Sequence, residues 1–329
     1  MGDLFFWLGI FIISLAVLIK ASDYFTNSAE KIGLWLGMPT FFIGVTIVAI
    51  GTSLPELISS IIAVLNGTSE IVIGNVLGSN IANIFLILGI AGIIAKKELK
   101  LSRSLLHVDI PFLLGTSFLL AIMIWDTVFT FVEGLILLFV LVIYSIYLIK
   151  SREHPDKEVR KQLRGVKGEL ANHSINKSTK GLPLKVWIIL LVSLIGIYFG
   201  ARFTVESVIE LSTLLGIGSE IIAVSAIALG TSLPELAVTF SAAKKGKPEI
   251  AVGNVLGSNI FNTLAVMGIP ALFGTLVIPS SMIYFSLPVM IIATLMFFFI
   301  TINKEITKWE GWLLIVFYGL FIGKVFNLF

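Results

Sequence analysis

Ten long apolar segments constrain this 329-residue chain more than any other feature. A helix needs about 20 mostly apolar residues to cross the hydrocarbon layer of a bilayer. Because every backbone polar group in lipid needs an internal partner, such runs are predicted to be helices. The sequence therefore predicts an all-α polytopic membrane protein with ten transmembrane helices. The segments are residues 4–19, 38–65, 71–95, 105–124, 128–149, 184–201, 219–243, 249–273, 280–302 and 310–327.

The composition excludes several other classes. Hydrophobic residues make up 57% of the chain and charged residues 13%, whereas soluble domains have about 45–50% and about 25%. A soluble enzyme, a nucleic-acid-binding protein and a disordered chain are therefore excluded. The chain has no cysteine and three histidines, which excludes thiolate metal sites and most histidine-metal chemistry. We expect a lipid bilayer around the chain, no cofactor, no nucleic acid and no obligate protein partner.

The positive charges predict how the chain is oriented. With the N-terminus outside, every Lys and Arg except Arg202 and Lys324 falls in a loop on the cytoplasmic side, as the positive-inside rule requires. The first segment carries Asp3 before it and Lys20 after it, which is the reverse of a cleaved signal peptide. We therefore predict a multi-pass protein of the cell (plasma) membrane with its N-terminus outside and its central loop cytoplasmic.

Two sequence motifs each occur twice with the same offset of 179 residues. GTSLPE at 51–56 recurs at 230–235, and GNVLGSNI at 74–81 recurs at 253–260. Such self-similarity indicates two copies of one structural unit. Each copy holds five segments, an odd number, so the second copy must be inverted in the membrane, as in many secondary transporters.

The repeat divides the chain into three predicted parts. Residues 1–149 form the first five-helix repeat, with motif helices at about 38–65 and 71–95. Residues 150–183 form a basic cytoplasmic linker, and residues 184–329 form the second repeat, with motif helices at about 219–243 and 249–273.

Glu56 and Glu235 are the first candidates for function, because each lies inside an apolar segment. Carboxylates at membrane depth are costly and are functional by default. The proline before each glutamate removes a helical hydrogen bond and frees backbone carbonyls about one turn earlier. Thr52 and Thr231 lie four residues before the glutamates and share their helix face.

The second motif adds polar side chains at four-residue intervals. One interpretation is polar contact between closely packed helices, which we favour for Asn80 and Asn259. For the residues on the predicted carboxylate face we favour cation binding. These residues are Ser79 and Asn83 in the first copy and Ser258 and Asn262 in the second.

All of these groups offer hard oxygen atoms. Such a set suits Ca²⁺, which takes about 6–8 oxygen ligands, and Na⁺, but not Zn²⁺ or Cu²⁺. Two carboxylates carry two negative charges, which one Ca²⁺ or two Na⁺ neutralise. A pocket that holds either set of ions, but not both, exchanges them.

The paired motifs resemble those of the sodium/calcium exchanger family within the cation/calcium exchanger superfamily, over essentially the whole membrane part. The resemblance implies that helices 2, 3, 7 and 8 surround four cation sites and that helices 1 and 6 slide during alternating access. It implies Glu56 and Glu235 as the chief Ca²⁺ ligands, shared with Na⁺. The other implied metal ligands are Thr52, Ser53, Ser79, Thr231, Ser232 and Ser258, the carbonyls of Ala49 and Ala228, and Asn83 and Asn262 at the middle position.

Two differences between this chain and other members of the family lead to further expectations. Relatives that co-transport K⁺ have Asp where this chain has Asn262, so we expect K⁺-independent exchange. Large animal members carry Ca²⁺-sensing domains in the central loop, and this loop is far too short to hold them. The resemblance therefore implies a prokaryotic-type member without regulatory loop domains.

The predicted function is an antiporter, not an enzyme, that exports Ca²⁺ using inward Na⁺ and is electrogenic. The alternative is an H⁺/Ca²⁺ antiporter of the same superfamily, because buried glutamates bind protons readily. A Ca²⁺ channel is a more remote alternative. An intramembrane enzyme would need Ser79 or Ser258 as nucleophile. Any histidine or lysine in the ten segments lies at the edge of its segment, as His107 and Lys324 do, so none lies within a span to activate either serine.

Overall fold

The structure is a computed structural model that describes residues 2–38, 40–95, 99–100, 108–151, 183–214, 232–326 and 328, most of which are helical. The helices of the first half are α1 (Gly2–Trp35), α2 (Thr40–Ile43), α3 (Ala49–Thr52), α4 (Leu54–Leu65), α5 (Glu70–Ile81), α6 (Gly89–Ile94), α7 (Ile110–Met123) and α8 (Phe131–Ser151). Those of the second half are α9 (Leu184–Leu214), α10 (Leu233–Lys244), α11 (Pro248–Phe261), α12 (Leu287–Thr301) and α13 (Lys308–Val325).

Wider, π-helical turns extend several of these helices into longer rods. The turn Gly44–Val48 joins α2 to α3, and Ala82–Leu88 joins α5 to α6. Asn262–Val266 continues α11 towards a short 3₁₀ turn at Pro270–Leu272, and Met282–Ser286 leads into α12.

The predicted apolar segments are helical over most of the length that the structure describes. Among the described residues, six helices are long and apolar enough to cross a membrane. The bent pair Thr40–Thr52 and Leu54–Leu65 makes a seventh if it is one span. The all-α polytopic membrane architecture is thus confirmed. Residues 219–231 of the seventh predicted segment, and residues 152–182 of the predicted linker, lie outside the described residues.

Two helices are longer than the apolar pattern predicts. The pattern places their ends at residues 19 and 201, whereas α1 continues to Trp35 and α9 to Leu214. In the added part of α1, the hydroxyls of Ser22 and Thr26 are fully buried and donate to backbone carbonyls four residues earlier. The hydropathy pattern does not mark this extension because Ser22 and Thr26 are polar residues. They can nevertheless be buried, since their hydroxyls are satisfied within the helix.

The two long helices α1 and α9 pack against each other in antiparallel directions. Near one end, the rings of Trp35 and Trp187 meet edge to face with centroids 6.5 Å apart. Near the other, the Thr204 hydroxyl lies 3.0 Å from the Ser14 hydroxyl and hydrogen-bonds to it. The first helix of each half is thus paired with its counterpart from the other half.

Two short antiparallel sheets join loops of the two halves. Strand β1 (Leu99–Lys100) pairs with β4 (Glu305–Ile306), and β2 (Val128–Phe129) pairs with β3 (Leu276–Val277). Leu99 lies opposite Ile306 in the first sheet. The positions related to this pair by the 179-residue offset are Ile278 and Thr127, and the Ile278 amide donates to the Thr127 carbonyl at 2.9 Å. The two sheets are therefore equivalent pairings, each of which contains one strand from each half.

Glycine contacts interlock the halves in the same reciprocal way. A Cβ on Gly89 of α6 would lie 3.0 Å from the carbonyl oxygen of Gly311 in α13. A Cβ on Gly268, which is 179 residues after Gly89, would lie 3.2 Å from the carbonyl oxygen of Gly134 in α8. Small residues permit such close backbone approach, so each half packs its third apolar segment on the fifth of the other.

Candidate cation-binding site

Both motif glutamates stand in the first turn of a helix, and in the first half that helix starts at a break. Between α3 and α4 the chain bends by 40°, and Ser53 at the break has φ −88° and ψ 5°. Ser232 before α10 has nearly the same conformation, with φ −88° and ψ 0°. Pro55 and Pro234 occupy the first turn of these helices, where a missing amide hydrogen is tolerated. In the first half, the disturbance expected before the proline coincides with the bend at Ser53.

The two carboxyl groups meet in the interior of the protein. Glu56 is 1% exposed and Glu235 is 0% exposed, and their carboxyl groups lie close enough to interact directly. The Ser53 hydroxyl donates a 2.8 Å hydrogen bond to Glu235 Oε1. No donor from the described residues reaches either Glu56 oxygen or Glu235 Oε2.

Nothing in the described part of the chain neutralises these carboxylates. The ion pairs found there join Asp23 to Lys245 and Glu30 to Lys247, away from the motif glutamates. An unpaired buried charge costs several kcal/mol even after the protein relaxes. The N-termini of α4 and α10 favour negative charge at Glu56 and Glu235. A bound cation would balance the two buried charges.

Further polar atoms lie buried on the neighbouring elements. Asn83 and Asn262 stand in the π-helical turns Ala82–Leu88 and Asn262–Val266, and such turns are frequent at functional sites. Helix α4 packs against the turn of the second half, and α10 packs against that of the first. Within the described ranges, the side chains of Asn83 and Asn262 and the hydroxyls of Ser232 and Ser258 make no hydrogen bond.

Two asparagines hold the helices that carry the glutamates. Each amide nitrogen donates to the backbone carbonyl of a glutamate and to a hydroxyl one turn further along the same helix. Asn75 contacts Glu56 O at 3.2 Å and Ser60 Oγ at 3.0 Å, and Asn254 contacts Glu235 O at 3.4 Å and Thr239 Oγ1 at 2.8 Å. The repeated sequence thus forms the same local structure twice.

The predicted site residues fall into four groups. Glu235 interacts with the Glu56 carboxyl group and accepts a hydrogen bond from Ser53. The Thr52 hydroxyl lies 3.2 Å from both the Ala49 carbonyl and Asn254 Oδ1, and Ser79 donates to Asn75 Oδ1. Ala228 and Thr231 lie outside the described residues. Asn83, Ser232, Ser258 and Asn262 are buried, and their side-chain polar atoms make no hydrogen bond with the described residues.

Asn80 and Asn259 lie where polar contact between helices was expected. Asn80 Nδ2 donates to Thr263 Oγ1 at 3.0 Å and to the Asn259 carbonyl at 3.4 Å. These bonds connect α5 to the end of α11, in keeping with the interpretation of Asn80 as a contact between packed helices. The Asn259 side chain makes no hydrogen bond with the described residues.

Asp109 is a further buried carboxylate that neither sequence motif contains. This residue is 0% exposed at the start of α7, and the Tyr144 hydroxyl of α8 donates to it at 2.9 Å. A carboxylate inside the predicted segment 105–124 was the signal that could have marked it.

Known proteins that are similar to this chain agree on its family. A family model described as sodium/calcium exchanger protein matches residues 6–150 and 185–326. The chain is 35% identical to the sodium/calcium exchanger MaX1 of Methanosarcina acetivorans, over 96% of this chain and 97% of MaX1. It is 34% identical to the inner membrane protein YrbG of Escherichia coli, over 79% of this chain and 78% of YrbG. A structure of the sodium-calcium exchanger NCX_Mj soaked with Na⁺ and Ca²⁺ aligns with a TM-score of 0.80 at 29% identity, over 97% of this chain and 98% of that one.

The matched family, MaX1 and NCX_Mj are sodium/calcium exchangers, so the chain is a membrane transporter and not an enzyme. The chain belongs to the sodium/calcium exchanger family. It is a prokaryotic-type member, without regulatory loop domains. The resemblance inferred from the two motifs is thereby confirmed.

Proposed function

We propose that the chain is a secondary active antiporter that exchanges Na⁺ for Ca²⁺ by alternating access. The observation that carries this proposal is the meeting of Glu56 and Glu235, two fully buried carboxylates from different halves. Three of their four oxygens receive no donor from the described residues. The names of MaX1 and NCX_Mj, both sodium/calcium exchangers, support the choice of ions.

The proposed site holds either ion set but not both. One Ca²⁺ neutralises two carboxylates, two Na⁺ do likewise, and a third Na⁺ leaves one positive charge. Exchange of three Na⁺ for one Ca²⁺ therefore moves one net charge across the membrane. That charge is worth about 2.3 kcal/mol per 100 mV, so the rate of exchange is expected to respond to voltage.

The proposed architecture is ten transmembrane helices in two inverted five-helix repeats, 1–149 and 184–329, joined by a cytoplasmic linker at 150–183. The equivalent sheets, glycine contacts and asparagine bonds at the 179-residue offset support two copies of one unit. The N-terminus then lies outside the cell membrane, in agreement with the distribution of Lys and Arg.

The proposed ligand set includes residues of both halves. Glu56 and Glu235 bind Ca²⁺ and share Na⁺, and Asn262 lacks the charge that K⁺ co-transport would require, so exchange is K⁺-independent. The remaining oxygens come from Ala49, Thr52, Ser53, Ser79, Asn83, Ala228, Thr231, Ser232, Ser258 and Asn262.

Ca²⁺ uptake into proteoliposomes tests the proposal. One set of vesicles carries an outward Na⁺ gradient at equal pH, a second carries a pH gradient without Na⁺, and a third carries neither. We expect Ca²⁺ uptake with the Na⁺ gradient alone. Its rate should be unchanged when choline replaces K⁺. It should be faster when the imposed potential favours export of positive charge from the vesicle. Uptake with the pH gradient alone would show H⁺/Ca²⁺ exchange, and uptake without either gradient would show a channel.

A further inference from the structure

Asn254 connects three groups of the candidate site. Its side chain is 0% exposed. Its nitrogen donates to Thr239 Oγ1 at 2.8 Å and to the Glu235 carbonyl at 3.4 Å. Its oxygen lies 3.2 Å from the Thr52 hydroxyl, which comes from the other half of the chain. One amide thus links the glutamate helix of the second half to a hydroxyl of the first.

Asn254 Oδ1 and the Ala49 carbonyl, both 3.2 Å away, are two acceptors toward which the Thr52 hydroxyl can point. A hydroxyl has one hydrogen and two lone pairs, and only a lone pair can bind a cation. When the Thr52 hydrogen is directed at Asn254 Oδ1, the lone pairs are free to face the cation. An amide supplies the two donors and the acceptor needed here, whereas a carboxylate has no donor and an alkyl group has neither.

The bond to the Glu235 carbonyl holds the backbone that carries the carboxylate. Glu235 lies in the first turn of α10, three residues after the N-cap residue Ser232. Asn254 belongs to α11, which also carries Ser258 one turn later. The amide therefore sets the position of the glutamate relative to the helix that supplies the other proposed ligands.

Asn75 makes the same two donor contacts in the first half, whereas its side-chain oxygen has a different donor. It donates to the Glu56 carbonyl at 3.2 Å and to Ser60 Oγ at 3.0 Å, and its oxygen accepts from Ser79 at 3.3 Å. The arrangement therefore occurs twice at corresponding positions, although Ser60 stands in one half where Thr239 stands in the other.

We infer that Asn75 and Asn254 are positioning residues of the exchange site, which orient the carboxylates and the neighbouring hydroxyls for Ca²⁺ without binding it. This inference rests on the proposed Na⁺/Ca²⁺ exchange. It assigns the two asparagines a role in apparent Ca²⁺ affinity that a contact between packed helices would not have.

The test compares four variants of the full chain in proteoliposomes. Asn254→Ala removes the amide, Thr239→Val removes its hydroxyl acceptor, and Thr239→Ser retains that acceptor. Asn259→Ala is the matched control, because Asn259 is an equally buried asparagine of α11 whose side chain makes no hydrogen bond with the described residues. Half-saturating Ca²⁺ concentration and maximal rate are measured separately under a Na⁺ gradient, and thermal unfolding is followed in detergent.

We expect Asn254→Ala to raise the half-saturating Ca²⁺ concentration by about tenfold, with a smaller effect on the maximal rate. Thr239→Val is expected to raise it by about threefold, because the bond to the Glu235 carbonyl remains. Thr239→Ser and Asn259→Ala are expected to stay within about twofold of the wild type.

Unchanged half-saturation in Asn254→Ala, or a shift of the same size in Asn259→Ala, overturns the inference. If Asn254→Ala does not fold, Thr239→Val against Thr239→Ser decides, and equal half-saturation in these two overturns it as well. A wild-type protein without Na⁺-driven uptake contradicts the proposed exchange instead. In that case equilibrium binding of radioactive Ca²⁺ to the same variants tests the positioning separately.

Discussion

The Ser53 hydroxyl donates a 2.8 Å hydrogen bond to Oε1 of Glu235, a residue 182 positions further along the chain. Ser53 stands at the helix break of the first half, and Glu235 stands in the first turn of α10 in the second. The bond therefore joins the two copies of the motif at the point where both carboxylates are buried. Neither half holds the candidate site alone.

Removal of this hydroxyl is expected to weaken Ca²⁺ binding. A hydrogen bond to a charged group contributes about 1.5–3 kcal/mol, so Ser53→Ala should raise the half-saturating Ca²⁺ concentration by roughly tenfold or more. Ser59→Ala is the control, because Ser59 is exposed on α4 and bonds only to a carbonyl of its own helix. Equal Ca²⁺ affinity in the two variants would contradict a role for the Ser53–Glu235 contact.

Neutralising either motif glutamate is expected to abolish exchange. Glu56→Gln and Glu235→Gln keep the shape of the side chain but remove a charge that the cation must balance. Expression and membrane insertion should change little, because an uncharged amide is easier to bury than a carboxylate. Na⁺-driven Ca²⁺ uptake is compared with Glu70→Gln, which alters an exposed glutamate at the start of α5. Full activity in Glu56→Gln would remove Glu56 from the site.

The close contact between α11 and the first part of the bent pair is expected to tolerate no added methyl group. A Cβ on Gly257 would collide with the Val45 carbonyl and lie 2.7 Å from Ala49 Cβ. Gly257→Ala should therefore lower the melting temperature and the exchange rate. Gly115→Ala provides the comparison, since no described atom lies within 4 Å of its Cβ, and it should leave both unchanged. Similar melting temperatures in the two variants would show that the helices separate easily.

The ion pair between Asp23 and Lys245 is expected to contribute modestly to stability. Lys245 Nζ lies 2.9 Å from Asp23 Oδ1, and the two side chains are 25% and 36% exposed, respectively. Pairs of this exposure contribute about 0.2–1 kcal/mol and weaken with salt. Asp23→Lys and Lys245→Asp should each lower the melting temperature at low salt, and the double reversal should recover part of the loss. If the losses in melting temperature simply add in the double variant, the charges at positions 23 and 245 are not coupled.

Much of the fold follows from the sequence because lipid leaves few alternatives for an apolar run of about 20 residues. The break at Ser53 is equally predictable, since Pro55 cannot complete the helix before it. The full length of α1 is not predictable from hydropathy, because Ser22 and Thr26 are polar and yet buried.

The candidate site is likewise predictable from the sequence only in part. The glutamates stand out in the sequence because a carboxylate in an apolar segment is rare. The contact of Thr52 with Asn254 joins residues 202 positions apart, and no local pattern predicts it. The π-helical turns at Asn83 and Asn262 depend on tertiary packing, and the buried pair of Asp109 and Tyr144 lies on two different helices.

The most direct test of the shared cation site is anomalous diffraction from crystals equilibrated with Ca²⁺ and without Na⁺. A Ca²⁺ peak is predicted between Glu56 and Glu235, within about 2.3–2.6 Å of a carboxylate oxygen from each. The peak should disappear after transfer to excess Na⁺. A peak that contacts only one glutamate, or one that persists in excess Na⁺, would contradict a site that the two ions occupy in turn.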